Sequence, residues 1–445
     1  MDKRNNKRIG VFQAAHPLQM HTCNLVRKLL DHGYAVDVFF HDIKSYYDMD
    51  ETIKDPANLT IHTYGYYASA YEHGSIPQPK LRDSAVLIYK HIFRIYRILY
   101  NLFVEYLVYE YFDNLLKIDM GISFFSPRTI KRTLADMYGK EYVCLIGVEK
   151  MGLIWSGIIA EKLKIPNIYY SLELYTHEHG YPKSSKKNGY IKRTEEIYHK
   201  KCHATIVQDR RRAEVLYASN GVDFNKIKLL CLPVSSLGDC IYGKTRYCYE
   251  KWGLEESNIV LLYSGSIQQS RWIDKVIEVS KEFPHQWKLL LHGIDRMKAQ
   301  VVVDQAGVSD RVILSTNILR PAELIQLILS STIGLVIYGN TNQNDMLTGF
   351  SSEKLSLYLQ CGIPIIAFNY PSYEAIKDYR CGVLIDNIDE IPSAITEILA
   401  DYSCYQENAC KCFEDVYKYS KHFMNVLEYI DNLSNHPRSK CYNYV

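Results

Sequence analysis

The stretch Ser351-Ser352-Glu353-Lys354-Leu355-Ser356-Leu357-Tyr358-Leu359-Gln360-Cys361-Gly362-Ile363-Pro364-Ile365-Ile366 decides how this chain is read. Two hydroxyls, a carboxylate and an ammonium open an apolar run of helical spacing. A Gly-Ile-Pro break follows, then a short apolar strand, Ile365 to Phe368. Ser351 or Ser352 caps the helix, which leaves backbone N–H groups and the positive end of the dipole for an anion. Lys354 adds a positive charge in the first turn, as suits a phosphate. Well upstream, Leu261-Leu262-Tyr263-Ser264-Gly265-Ser266 reads as a strand running into a Gly/Ser loop, and Arg271 opens the next helix. Two phosphate-suited helix starts in one α/β domain predict a nucleoside diphosphate held between them.

Outward from this stretch, short continuous apolar runs alternate with helical ones. In the first half, strands are predicted at Arg8–Phe12, Ala35–Phe40, Leu59–Tyr64, Val143–Val148, Asn167–Ser171, Ala204–Val207 and Ile227–Leu230. After Pro233 the pattern resumes at Ile259–Ser264, Trp287–His292, Val312–Leu314, Gly334–Ile337, Ile365–Phe368 and Val383–Ile385. Strands without polar alternation suit a parallel sheet covered on both faces. Pro233-Val234-Ser235-Ser236-Leu237-Gly238-Asp239 reads as a linker. The expectation is two doubly wound α/β domains facing each other across a cleft, with ligand at the carboxyl ends of the strands.

Composition bounds the answer. A chain of 445 residues is too long for one ordinary core, and two domains are the natural prior. A net charge of +2 argues against a nucleic-acid binder that relies on bulk electrostatics. The charged start, Met1 to Arg8, is followed only by a strand-length apolar run, so no secretory signal peptide is expected. The 12 cysteines are scattered with no Cys-x-x-Cys pair. Cys404, Cys410 and Cys412 form the tightest group, and no histidine pair of zinc-site spacing accompanies them. Reduced thiols in a cytosolic protein, and no metal, are the expectation.

One segment fits neither repeat. In Leu81–Lys117, Lys90, Arg94, Arg97, Asn101 and Glu105 fall on one narrow helical stripe, and most of the rest is apolar or Tyr. Those charges interrupt any span of ~20 residues, which disfavours a transmembrane helix. A helical hairpin buried on the core or on a second copy of the chain is one reading. A helix lying on an anionic membrane surface is the other.

The residues Tyr263 to Ile267, Arg271, Ser352-Glu353-Lys354-Leu355 and Tyr358 through Pro364 together resemble the donor half of glycosyltransferase family 4 and its GT-B relatives. His16-Pro17, Asp31 to Val38 and Ile168 to Tyr175 resemble the family's N-terminal half. The resemblance implies a GT-B architecture of two Rossmann-like domains. Residues 1–236 would form the acceptor-side domain with an insertion at about 75–120, and 245–403 the nucleotide-sugar domain. A helix over 404–433 would cross back. It also implies a transferase moving a sugar from a nucleoside diphosphate sugar to a carbohydrate or lipid-linked acceptor. Such a reaction retains configuration and needs neither metal nor cofactor beyond the donor. A role in bacterial surface polysaccharide assembly, on the inner face of the plasma membrane, would suit it.

Residue by residue, the resemblance places the donor diphosphate at Gly265, Ser266, Arg271, Ser351, Ser352 and Lys354. Tyr358 falls on the nucleoside side. Asp345 and Glu353 have the Glu-x7-Glu spacing of the family, but counting back from Gly362 puts Leu357 where the second Glu belongs. Glu353, one turn earlier on the same face, is the candidate for the ribose or sugar, with Asp345 behind it. Ser266 stands where some relatives carry a second basic residue, and Arg320 is a substitute. On the acceptor side His16 and Glu173 are the candidate catalytic groups, with Leu172 in place of the family's His; His177 and His179 lie nearby. A non-catalytic partner of another transferase and a nucleotide-sugar epimerase are the alternative functions on the same architecture.

Overall fold

We describe residues 7–14, 20–40, 57–64, 127–176, 186–265, 271–293, 296–317, 319–340 and 342–435 of a computed structural model. The 75–120 insertion, with its 81–117 stripe, lies outside them, as do His16, His177, His179 and Ser266. The chain divides into two units, residues 1–231 with 424–445, and residues 232–423.

The first unit carries a parallel sheet of seven strands, β1 (Arg8–Gln13), β2 (Ala35–Phe40), β3 (Leu59–Thr63), β4 (Tyr142–Val148), β5 (Asn167–Tyr170), β6 (Ala204–Val207) and β7 (Lys228–Cys231). Their order is β3-β2-β1-β4-β5-β6-β7. Every residue of β2, β4, β5 and β6 is buried, as expected of strands covered on both faces. The order reverses between β1 and β4, the place where a doubly wound sheet opens a crevice at its carboxyl edge.

A single buried carboxylate fastens the opposite edge. Asp37 of β2 is fully buried and accepts from Lys140 Nζ at 2.9 Å, from the Tyr142 hydroxyl and from the Arg8 guanidinium. Burial by itself acts to raise its pKa, but the polar side chains of His62, Tyr142 and Lys140 and the Lys140 charge hold it far below the carboxylate range. A carboxylate depressed in the folded state stabilises above its unfolded pKa of about 3.9, and that stabilisation is lost as pH falls below it. Asp37→Asn should therefore cost this unit about 1–2 kcal/mol at neutral pH, since the two cations are partly solvated. The stability difference between mutant and wild type should shrink steadily as pH falls below about 4; an equal difference at pH 7 and at pH 2 would refute the assignment.

The second unit carries six parallel strands, β8 (Ile259–Ser264), β9 (Trp287–His292), β10 (Val312–Ser315), β11 (Ile333–Val336), β12 (Ile365–Phe368) and β13 (Gly382–Ile385), in the order β10-β9-β8-β11-β12-β13. Alternate residues of β8 feed two cores: Leu261 and Tyr263 on one face of the sheet, Val260 and Leu262 on the other. Here the switch point lies between β8 and β11, so their carboxyl ends are where a ligand belongs. The predicted strands of both halves are all present, their ends matching or shifted by one residue.

The expectation of reduced thiols throughout is corrected for one pair. Cys240 and Cys410 form a disulfide with Cα atoms 5.7 Å apart. The segment after the domain boundary comes back onto this unit, where Cys240 N–H donates to Glu414, just past the Tyr402–Cys412 helix, at 2.8 Å, and Ile241 N–H donates to Gln360 O, at the end of the Glu353–Gln360 helix, at 2.7 Å. A separation of 170 residues hid this pairing from the sequence. The group Cys404, Cys410 and Cys412 is thereby broken up. Among the described residues no helix is long and apolar enough to cross a membrane.

Candidate functional site

The site of the second unit is built at the carboxyl ends of β8 and β11. After Ser264 the chain turns at Gly265, whose φ of +147° is open to glycine. A Cβ there would stand 3.2 Å from Lys354 Nζ and 3.2 Å from the Tyr263 hydroxyl. The bare backbone thus lets the Lys354 ammonium close on the loop. Gly265 N–H donates to His292 O at 2.9 Å, which ties the turn to β9.

The helix Glu353–Gln360 delivers Lys354. Of the two candidate caps, Ser352 serves: its Oγ accepts from Leu355 N–H at 3.4 Å and meets the Tyr338 hydroxyl at 2.9 Å. Ser351 is half-buried beside it, its N–H given to Thr348 O at 3.1 Å. The N–H groups of Glu353 and Lys354, first in the helix, meet no acceptor among the described residues. They are free for an anion.

Tyr358 holds this helix to the loop from behind. It is fully buried, donates to Leu262 O at 3.2 Å and accepts from Ser264 N–H at 3.1 Å. Gly334 of β11 makes room for it, since a Cβ there would fall 2.3 Å from the ring. Tyr358 is thus a brace under the Gly265 turn. Leu357 packs into the core.

Arg271 reaches the same place from the next helix. Trp272 behind it takes a left-handed φ of +51°, a strained turn for a side-chain-bearing residue, and caps the helix Ile273–Val279. The Arg271 guanidinium lies over the Tyr338 ring at 4.2 Å, and Lys354 Nζ stands 4.1 Å from the centre of the Tyr263 ring and 4.8 Å from that of Tyr338. Two tyrosine faces therefore carry two cations. Sequence reasoning missed Tyr338, although its place just after a predicted strand at the switch point was a usable signal.

Asp345 supplies the counter-charge. It is buried, its Oδ1 stands 3.1 Å from Arg271 Nη1, and its other oxygen accepts from Asn342 at 2.6 Å. The contact is not aligned as a hydrogen bond, which leaves that buried nitrogen of Arg271 unsatisfied. Asp345 therefore belongs to the cluster as the partner of Arg271. Glu353 is exposed at the helix start. No carboxylate among the described residues lies within ion-pair reach of Lys354. Burial, and then the Arg271 charge, push the Lys354 pKa down to about 7 against the pull of Asp345. Arg320 stays out of this cluster: its side chain is 90% exposed and stands 4.0 Å from Glu323.

In the first unit, Glu173 is exposed just beyond β5. Its N–H donates to Glu149 Oε1 at 2.9 Å, and Leu172 N–H to the same oxygen at 2.7 Å. Glu149, which sequence reasoning passed over, opens the helix Glu149–Leu163 directly after β4. Burial, followed by the Glu173 charge, raises its pKa to about 7.

Comparison with known proteins bears on the fold. Residues 277–423 match the family model of the glucosyltransferase 3-like C-terminal domain. Over 96% of this chain and 99% of its own, sucrose-phosphate synthase from Thermosynechococcus elongatus is similar in structure, at 13% identity and a TM-score of 0.64. Anabaena HepE in complex with UDP is similar at 10% identity and 0.63, covering 96% of this chain and 100% of that one. WaaG, a glycosyltransferase involved in lipopolysaccharide biosynthesis, gives 12% and 0.58 over 96% and 100%. A comparison with curated protein sequences gives no match. Together with the two parallel sheets, these likenesses establish a GT-B fold of two Rossmann-like domains.

Proposed function

We propose that this GT-B protein, whose second unit carries the glucosyltransferase 3-like match, is a glycosyltransferase that takes its sugar from a nucleoside diphosphate donor. The observation that carries the reading is the Lys354 ammonium. It is half-buried, without a carboxylate partner among the described residues, and lies against a bare glycine turn. A diphosphate placed there meets Lys354, Arg271 and the amides of Glu353 and Lys354. These are the charges and dipoles that stabilise a leaving diphosphate. UDP is the first nucleotide to try, since HepE was solved with it.

The finer reading is a retaining, metal-independent, family 4-like transfer to a carbohydrate or lipid-linked glycan in surface polysaccharide assembly. Arg271 and Lys354 would carry the charge that a divalent ion carries in other transferases. Glu173 would orient or deprotonate the acceptor hydroxyl, a role favoured by its exposed carboxylate on a fixed backbone. The test is release of UDP, GDP or CMP from their sugar nucleotides, with and without a lipid-linked acceptor. Acceptor-stimulated release of one nucleotide supports the transferase. Nucleotide binding with no turnover of any donor favours a non-catalytic partner.

Contact with a membrane through the 81–117 stripe is proposed from the sequence alone. Wild type should float with anionic vesicles and not with neutral ones, and a protein with Lys90, Arg94 and Arg97 changed to Glu should not float. If both proteins float alike, or neither does, the stripe is an internal or subunit contact.

A further inference from the structure

Beyond β5 the chain leaves regular structure, yet side chains take up six of the ten backbone groups from Ser171 to Tyr175. Gln208 donates to Ser171 O at 2.8 Å and Arg212 to Leu172 O at 2.9 Å. Glu149 Oε1 accepts from Leu172 and Glu173 N–H. Ser171 Oγ donates to Glu173 O at 3.2 Å, and the buried Lys192 ammonium donates to Tyr175 O. Three separate helices thus spend buried polar side chains on three loop residues, Leu172, Glu173 and Tyr175. A loop this heavily fixed is pre-organised, and the exposed side chain it presents is Glu173.

Glu149 is the most demanding member of this set. It takes a left-handed φ of +60°, a strained backbone for a side-chain-bearing residue, and it is buried, with 6% of its surface exposed. Its Oε2 has no hydrogen-bond partner. Glycines on either side make the elbow: a Cβ at Gly147 would fall 2.5 Å from the Leu153 backbone, and one at Gly152 would fall 2.3 Å from Phe12 O. A strained turn, a buried carboxyl and two conjoined amides meet at one point of the sheet's carboxyl edge. Strain and an unsatisfied carboxyl oxygen together are hard to account for by folding alone.

We infer that Glu149 is a positioning residue, whose carboxyl grips the Leu172 and Glu173 amides and so aims the Glu173 carboxylate at the acceptor. This rests on the reading of Glu173 given above. Amide hydrogen exchange tests the grip without reference to activity. The Leu172 and Glu173 amides should be protected in wild type and in Glu149→Gln, whose carbonyl can still accept both, and unprotected in Glu149→Ala. The action through Glu173 is read from hydrolysis of UDP-glucose, with water as acceptor. Glu149→Ala should slow it about tenfold or more with UDP affinity unchanged, and Glu149→Gln should restore most of the rate. Adding Glu149→Ala to Glu173→Gln should slow the enzyme no further, because a residue acting through another is not additive with it. If the two effects multiply, or if exchange at Leu172 and Glu173 is the same in Glu149→Ala as in wild type, the inference fails. If Glu173→Gln turns over at the wild-type rate while exchange behaves as expected, the grip stands and the acceptor role of Glu173 falls. Should Glu149→Ala not fold, Glu149→Gly, which relieves the left-handed turn, takes its place in every comparison.

Discussion

Replacing Lys354 with alanine should weaken UDP binding roughly tenfold or more, the loss of a charge-assisted contact worth about 1.5–3 kcal/mol. The fold should survive, because the ammonium packs on two tyrosine faces and holds no backbone group. The pH dependence should be as informative as the magnitude. With its pKa pushed down to about 7, a large share of Lys354 is neutral in the free protein at pH 8. A diphosphate beside it favours the charged form, so its pKa rises on binding and a proton is taken up. Wild-type affinity should fall as pH rises above 7, approaching tenfold per unit until the pKa of the complex is reached. In Lys354→Ala that fall should vanish, leaving only the titration of the nucleotide itself. Calorimetry in two buffers of different ionisation enthalpy measures both quantities. Equal affinity and equal proton uptake in the two proteins would remove Lys354 from the site.

Asp345→Asn should have the second large effect, and a different one. Asp345 holds the charge opposite Arg271 and offsets the repulsion between Arg271 and Lys354. Without that charge, a partly buried guanidinium loses its anion, and stability should fall by roughly 1–3 kcal/mol. The Lys354 pKa should also fall below 7, because burial and the Arg271 charge then act unopposed. The pH at which UDP binding begins to weaken should move to lower values. Glu353→Gln, on an exposed residue outside the ion pair, should leave that pH in place while weakening a ribose or sugar contact. From spacing alone the opposite order is expected, with Glu353 sensitive and Asp345 indifferent. Denaturant unfolding with the same pH series decides between them: an unmoved pH midpoint in Asp345→Asn would refute the coupling.

The contrast shows what the sequence made legible. Parallel strands buried on both faces are continuous apolar runs, so the two sheets could be read from pattern, while the strand order that sets their switch points came from the structure. The Ser351-Ser352-Glu353-Lys354 helix start was legible for a similar local reason, since capping and first-turn charge are neighbours in sequence. Contacts across the fold carry no such period. Nothing in the spacing announces that Asp345 faces Arg271, that Tyr338 carries both cations, or that the Tyr358 hydroxyl is committed to β8. Cys240 and Cys410 meet only because the segment beyond the domain boundary returns to a distant helix. Glu149 had no local signal to single it out; its left-handed turn and its grip on Leu172 and Glu173 exist only once β4 and β5 lie side by side.

The most direct test is a crystal structure of the protein soaked with UDP. The account predicts diphosphate oxygens within about 3 Å of Lys354 Nζ and of the Glu353 and Lys354 amides, with Arg271 still over Tyr338. UDP bound elsewhere, with the Lys354 ammonium still packed against Tyr263 and no phosphate beside it, would contradict the account.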